Sequence, residues 1–425
     1  MPLSPDYRET PYWWDRTPRP ELPASPVSKE ADVVIVGAGY TGLGAAIESR
    51  RLGRSVVVLE KKQLGFGAST RNGGMIHPGV KLELEPLLRR YGGLGERLFR
   101  FTVEAFDDAE RVIADEGIDC DYERTGHLYL ASRPSHVEHL ARTAELCRNR
   151  VGVASHFVSR DELATEIGSD RFPSGLVVEK SGGLDPARYH AGLFRTALRT
   201  GAEIHDRTPA LSLDRRRDGS FDVRTPVETI RARDVIVGTN GYRDGLVPWL
   251  RRRVVPIGSY IIATEPLESG VAEELSPRRR MFFDSKNYLN YWRLSPDGRM
   301  LFGGRASMAP TTIARARDSL YRAMVATHPQ LAGTRVEWAW GGKVGFTFDR
   351  LPHAGRHDGA YFALGYGGTG VALGSYLGLC VAAWAVGGNP PPFAEPRFPV
   401  LPAGAASERL LPVAGLYYSL RDRIG

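Results

Sequence analysis

The sequence predicts an α/β fold: a mostly parallel, Rossmann-like sheet that binds a dinucleotide, interrupted by an antiparallel α+β domain. Three stretches of the 425 residues predict it. Asp32–Glu60 runs strand, glycine-rich turn, helix, strand and acid. Gly365–Gly370 is a second glycine-rich turn, set between an apolar strand and an apolar helix. Between them, Val254–Trp340 takes on the texture of alternating strands.

Asp32–Val36 is a β-branched apolar run, suited to a strand buried on both faces. Gly37, Gly39 and Gly42 follow in G-x-G-x-x-G spacing, with Tyr40 and Thr41 inside the motif. The first glycine permits the tight turn, the second lets backbone approach a pyrophosphate, and the third lets the helix pack on the strand. That helix, through Leu43 and Ile47, stops at Gly53. Ser55–Leu59 then delivers Glu60, followed by Lys61, to where a carboxylate accepts from a ribose hydroxyl. Gly65–Gly74 is too rich in glycine and small polar residues for regular structure.

A helix is expected over Gly95–Glu116, where Leu98, Phe101, Ala105, Ala109 and Val112 share a face. A strand at His127–Ala131 and a helix from Ser135 follow, and Ser159 with Glu162 reads as the capping box of another helix. Asp185-Pro186 opens a helix that Gly201 ends. Leu211–Thr225 forms a hairpin turning at Asp218-Gly219, and Asp234–Gly238 is a buried strand leading into Thr239-Asn240-Gly241. Tyr260–Thr264, Tyr288–Leu294 and Met300–Gly304 are the strands of the inserted sheet. Tyr361–Leu364 and the helix Val371–Val386 flank the second glycine-rich turn, where helix-terminal amides face an anion or a polarised carbonyl.

Composition narrows the class. The 42% hydrophobic and 25% charged residues are those of an ordinary soluble globular protein. Cys120, Cys147 and Cys380 are too scattered for a disulfide framework or a metal site, so no metal and a reducing, cytoplasmic setting are expected. The run Val371–Val386 is short for a membrane span. The net charge of +7 comes from scattered arginines, with small clusters at 215–217, 251–253 and 278–280 and no nucleic-acid motif. Neither a membrane nor a nucleic acid is expected as partner; oligomeric state is not legible. The proline-rich arm before Val27 carries Trp13 and Trp14, which are expected to dock on the body.

Only one dinucleotide fingerprint is present, which disfavours a flavoprotein fed by a second, nicotinamide dinucleotide on the same chain. The stretch Asp32–Gly74 resembles the FAD-binding start of the D-amino-acid oxidase/sarcosine oxidase superfamily. Gly65-Phe-Gly-Ala-Ser-Thr-Arg-Asn-Gly-Gly74 is especially similar to gamma-glutamylputrescine oxidoreductases. The similarity continues through Ala263–Leu267, Tyr291–Leu294, Trp340–Gly342, Thr347–Pro352, Gly365–Gly370 and the end of the chain from Tyr417. The resemblance implies a glutathione-reductase-like FAD domain built from separated pieces and a substrate domain whose sheet covers the flavin. The expected pieces are an arm over 1–28, FAD domain over 29–90, 183–250 and 341–392, substrate domain over 91–182 and 251–340, and an extension over 393–425. The implied reaction oxidises a C–N bond of an amine or amino acid to an imine, with O2 as the acceptor and hydrogen peroxide formed.

The same resemblance assigns residues. Ser69, Thr70, Arg71, Asn72 and Gly73 match the loop along the pyrophosphate and ribityl chain, Arg71 as a charge partner. Ala210 matches an adenine contact, and Thr239 and Asn240 the loop closing over the nucleotide. Gly367, Gly368, Thr369 and Gly370 fall at the pyrimidine carbonyl, where relatives often have His in place of Thr369. Gly342 stands near the cysteine that tethers flavin in sarcosine oxidases, so the FAD is expected to be non-covalent. Leu301 matches the oxygen-activating lysine of those enzymes, and Lys343 is the candidate substitute. His77 is a candidate to face the substrate, and Arg293 to hold an anion or make a structural ion pair. Tyr260 and Tyr291 are cavity candidates, with plain core packing as the alternative. A same-fold dehydrogenase, an FAD-dependent monooxygenase and a non-enzymatic flavin binder stay open beside the oxidase.

Overall fold

The computed structural model describes all residues except 24, 243–244, 305–310, 403, 405–410, 414, 416, 418–421 and 423–425. The β-branched run becomes the strand Glu30–Val36, central to an eight-stranded sheet. Its parallel core runs in the order Glu203–His205, Val56–Leu59, Glu30–Val36, Thr229–Val237, Ala360–Leu364. The hairpin Ser212–Arg215 and Phe221–Arg224 pairs with the start of Thr229–Val237, and His353–His357 closes the far edge. Apolar residues can follow one another along Glu30–Val36 because both faces are covered. Val33 and Ile35 enter the core beneath the helices, while Val34 and Val36 enter a second core with Phe221, Ile230 and Leu250.

Two helices meet at the mouth of that sheet. Tyr40–Arg51 follows the first glycine turn, and Gly370–Ala385 follows the second. Their backbones are almost in contact. A Cβ on Gly44 would stand 2.2 Å from the Ser375 carbonyl oxygen, and one on Gly378 would stand 2.1 Å from that of Thr41. The helix Gly370–Ala385 is thus a buried packing element, and among the described residues no helix is long and apolar enough to cross a membrane.

The second sheet has nine strands, in the order Leu3–Arg8, Val336–Phe346, Val255–Pro266, Arg299–Gly304, Asn290–Leu294, Met281–Asp284, His127–Leu130, Gly175–Val178, Ser155–Val158. The expected strands are present, but the sheet is mixed. Leu3–Arg8 runs parallel to Val336–Phe346, and His127–Leu130 runs parallel to Met281–Asp284. The arm therefore contributes a strand as well as its tryptophans, and Val336–Phe346 runs unbroken through position 340/341. One face carries Ile262, Trp292, Phe302 and Ala339 against Leu320 and Met324 of the helix Ile313–Thr327. The other carries Ile261, Ala263, Leu301 and Trp340 against Tyr12, Trp13 and Ala187.

Other elements follow the sequence closely. Helices occupy Gly93–Asp115, Val137–Val151 and Pro186–Arg199, and Asp185 Oδ1 caps the last by accepting from the Ala187 and Arg188 amides. The Ser159 capping box is the exception. Glu162 does reach back to the Ser159 amide at 2.9 Å, but Ser159 Oγ donates to the same carboxylate, and only a 3-10 turn at Leu163–Thr165 forms. The serine hydroxyl is turned to the glutamate and accepts from no first-turn amide, so the side-chain cap of an α-helix is not made.

Trp13 is fully buried in the small core between arm and sheet, and its indole N–H donates to the Asn72 carbonyl at 2.8 Å. Trp13→Ala is expected to cost about 3–5 kcal/mol of unfolding free energy, the range for emptying a large aromatic site. Urea titration followed by far-ultraviolet circular dichroism measures it. Gly44→Ala puts a methyl into the Ser375 carbonyl and should lower the melting temperature sharply. Gly93→Ala has open space at the new Cβ and should leave the melt unchanged or slightly raised.

Candidate functional site

The first glycine turn has the geometry its spacing predicts. Gly37 lies at φ +100°, and its amide donates to the Leu59 carbonyl at 2.8 Å, bending the chain across the two strand ends. A Cβ on Gly42 would lie 1.7 Å from the Gly37 carbonyl oxygen, so only glycine lets the helix begin there. Glu60 stands at the end of the next strand, its carboxylate accepting from the Ala38 amide at 3.1 Å and the Lys62 amide at 3.0 Å. Burial pushes its pKa up, opposed by these amide bonds. Lys61 is exposed beside it. His190, on Pro186–Arg199, pins the turn from below, its Nε2 2.8 Å from the Ala38 carbonyl oxygen. No motif singled out His190; it lies far along the chain and reads as an ordinary helical residue.

The loop after Glu60 is more ordered than its composition suggests, with a 3-10 turn at Ala68–Thr70. Ser69 Oγ accepts from the Tyr40 amide at 3.0 Å, joining the loop to the first turn. The Tyr40 ring itself points inward, its hydroxyl donating to the Pro186 carbonyl. Thr70 spends its hydroxyl inside the loop, donating to the Gly65 carbonyl and accepting from the Trp14 indole. Asn72 is the loop's organiser: its Nδ2 donates to the Ala68 and Ser69 carbonyls, and its Oδ1 accepts from the Gly74 amide. Arg71 is clamped between Trp14 and Phe66, each ring centroid 4.8 Å from its guanidinium carbon. Its Nη1 donates to the Gly341 carbonyl at 2.7 Å, while its buried Nε has no partner among the described residues. Trp340 holds the Arg71 carbonyl through its indole N–H at 2.8 Å, and the Tyr291 ring lies on Gly73.

The second turn meets the first. The Tyr366 and Thr41 hydroxyls are 2.7 Å apart. Asn240 adopts φ +47° and uses its Oδ1 to accept from the Gly365 amide, so the loop of Thr239 and Asn240 is tied to this turn. Thr239 also packs at Gly37. Ala210 packs at the margin of the second core. Gly367 and Gly368 have φ +62° and +110°, and the Gly367 amide donates to the Gly345 carbonyl. Thr369 turns its hydroxyl back to the Tyr366 carbonyl, which leaves the helix from Gly370 without a side-chain cap. Just before the turn, Asp349 and His353 form a buried pair at 3.1 Å. Asp349 lies in the Thr347–Pro352 segment of the family resemblance, but the pairing with His353 was not anticipated.

The three candidate catalytic residues part company. His77 stays at the site, partly accessible, beside His127 and Phe283 of the nine-stranded sheet. Burial holds its pKa below the usual imidazole value. Arg293 is buried, its Nη1 and Nη2 donating to the Gly74 carbonyl at 3.1 Å and the Leu184 carbonyl at 3.0 Å, and its Nε has no partner among the described residues. It is neither an anion clamp nor half of an ion pair but a backbone tie between the loop and the helix Pro186–Arg199. Burial lowers its pKa to about 10, with Asp185 opposing. Lys343 is exposed on the wrong face. A Cβ on its neighbour Gly342 would meet Arg71, whereas Gly341 and the paired Gly258 point to Tyr260, so Lys343 shares the Tyr260 side. Tyr260 bonds the Thr311 carbonyl there; Tyr291 is the tyrosine over the loop, its hydroxyl 3.2 Å from Ser259 Oγ. Leu301 is buried with Trp340.

These residues fit an FAD. The buried Nε of Arg71 awaits an acceptor. The helix from Gly370 leaves its first amides uncapped, and the space beside Gly368 is open. The glycine turn and Glu60 would supply the dinucleotide end. Comparison with known proteins agrees. The family described as "DAO: FAD dependent oxidoreductase" matches residues 32–384. The chain is 32% identical over 432 residues to a probable oxidoreductase OrdL of Rhizobium meliloti, covering 99% of each chain. It is 30% identical over 404 residues to the gamma-glutamylputrescine oxidoreductase of Escherichia coli, covering 93% of each. Glycine oxidase from Geobacillus kaustophilus shares the fold with a TM-score of 0.72 at 20% identity, over 87% of this chain and 99% of that one. The chain thus belongs to the DAO family of FAD-dependent oxidoreductases.

Proposed function

We propose that the protein oxidises a C–N bond of an amine or amino acid to an imine, which water hydrolyses to a carbonyl compound and an amine or ammonia. In this proposal O2 is the terminal electron acceptor and hydrogen peroxide the by-product. The observation that carries it is a sheet face laid over the FAD loop: Tyr291 on Gly73, and His77 against Phe283. In this proposal the face is the wall against which a small substrate would be held beside the cofactor. Relatives named gamma-glutamylputrescine oxidoreductase and glycine oxidase support the amine or amino-acid class.

When bound, FAD supplies the two-electron acceptor for this chemistry. The turn Gly37–Gly42, with Tyr40 and Thr41, would hold the pyrophosphate, and Glu60 with Lys61 the ribose end. Ala210, Thr239 and Asn240 would line the nucleotide, and Ser69–Gly73 the middle of the cofactor. The amides of Gly367–Gly370 would face a polarised ring carbonyl. We propose non-covalent attachment, because Gly342 stands where a tethering cysteine would be and a Cβ there would already crowd Arg71 Cδ at 2.8 Å.

A same-fold dehydrogenase is the second reading. The placement of Lys343 on the face away from the FAD loop favours it, since that lysine was the candidate for oxygen activation.

Anaerobic addition of amines and amino acids, including gamma-glutamylated polyamines, N-methyl amino acids and glycine, should bleach the flavin absorbance with at least one compound. Failure with every class rejects the proposal. With the compound that works, peroxide formed in step with substrate supports the oxidase; slow peroxide with rapid dye reduction supports the dehydrogenase. Acid precipitation should leave the yellow colour in the supernatant. Gly42→Ala should purify with less than about a tenth of the wild-type flavin-to-protein absorbance ratio, given the 1.7 Å clash.

A further inference from the structure

Beside the FAD loop, three rings form a triangle. His77, His127 and Phe283 have centroid separations of 5.5, 5.3 and 5.3 Å, each pair edge to face. His127 and Phe283 come from neighbouring parallel strands. Phe283 is opposite Tyr291 in the register, so all three sheet residues share the face that covers the loop. On the other side, Lys81 packs against Gly367, placing the segment after His77 along the second glycine turn. The triangle therefore stands between the two parts of the chain that embrace the cofactor.

Hydrogen bonding at Nδ1 sets the tautomer of His77 and favours the same one in His127. His77 Nδ1 lies 2.9 Å from the Pro78 carbonyl oxygen, and a carbonyl only accepts, so Nδ1 carries the proton. The Ser181 hydroxyl has the Lys180 carbonyl as an acceptor at 2.7 Å; with its proton there, it accepts from His127 Nδ1, also at 2.7 Å. Both Nε2 atoms are then lone-pair acceptors. Neither has a partner among the described residues, and both side chains stay partly accessible. Burial lowers both pKa values, most for His127, where the neighbouring His77 adds to the effect.

We propose that His77 and His127 form a paired acceptor site for the N–H groups of the substrate nitrogen, with Phe283 as its apolar floor. It rests on the amine or amino-acid reading above and names the residues that recognise the nitrogen. Two lone pairs on neighbouring rings accept from N–H donors, which a carboxylate lacks. Arg293, the cation expected to hold an anion on this face, is committed to backbone carbonyls. Nor do the rings make a metal site: among the described residues no group of three or more His, Cys, Asp or Glu is placed to hold one.

The test titrates n-butylamine, with tetramethylammonium as the cation lacking N–H, into the FAD-loaded protein under anaerobic conditions and follows the flavin spectrum. Butylamine should perturb it, and the dissociation constant should rise at least tenfold in His77→Phe and in His127→Phe, with flavin content unchanged. Ser181→Ala, which frees the His127 tautomer without touching a ring, should raise it about threefold. Nitrogen-15 NMR of histidine-labelled protein should show two Nδ1–H rings that respond to butylamine. Wild-type affinity in both ring variants, equal binding of tetramethylammonium, no perturbation by butylamine, or Nε2–H tautomers would each overturn the site. Histidine-dependent butylamine binding in a protein whose flavin no amine or amino acid bleaches would reject the oxidation reading and leave the acceptor site standing.

Discussion

The close approach of backbone to backbone at the mouth of the parallel sheet is the constraint on which the other features depend. The turn after the first strand, the helix it starts and the helix after the second turn meet with no side chain between them. Gly42 sits on the Gly37 carbonyl, Gly44 on Ser375, and Gly378 on Thr41. This contact brings the two glycine-rich turns, more than 300 residues apart by the Thr41–Tyr366 hydroxyl pair, into one site. Any methyl inserted there forces the two turns apart. Packing density leaves no slack to absorb the shift.

Around that contact, polar side chains are spent mainly on backbone. Asn72 closes the loop on itself, Asn240 ties the nucleotide loop to the second turn, and His190 braces Ala38. Arg293 follows the same pattern. A buried guanidinium carries a large desolvation cost, and two carbonyls with the face of Trp13 are its compensation. Beside these committed groups stand atoms without a partner among the described residues: the Nε of Arg71, the Nε of Arg293 and the two open imidazole nitrogens.

Much of this was legible in the sequence, for local reasons. The glycine spacing, the β-branched runs and the Asp185 cap each state their structure within a few residues, and each is found. What the sequence left open depends on strand register and on pairing across long separations. Whether Lys343 or Gly342 faces the loop turns on a one-residue alternation that sequence cannot count from a distant reference. Arg293 shows on a strand as an exposed-looking cation, and only the arrival of Gly74 and Leu184 makes it structural. His127 reads as one polar position in a short strand; its meaning comes from His77 and Ser181, 54 residues away from it in the latter case. The Ser159 box failed for a local reason too, because the serine and glutamate satisfied each other.

The two indole bonds to the FAD loop have a temporal meaning. Trp13 holds the Asn72 carbonyl across 59 residues, and Trp340 holds the Arg71 carbonyl across 269. Both bonds rest on late strands, since Trp13 is buried against Ile261, Leu301 and the same Trp340 that makes the second bond. The two loop carbonyls are thus both oriented by contacts that need the strands Val255–Pro266, Arg299–Gly304 and Val336–Phe346 in place. Contacts of such long separation form late and slowly. A loop held in this way takes its final shape as a late event of folding.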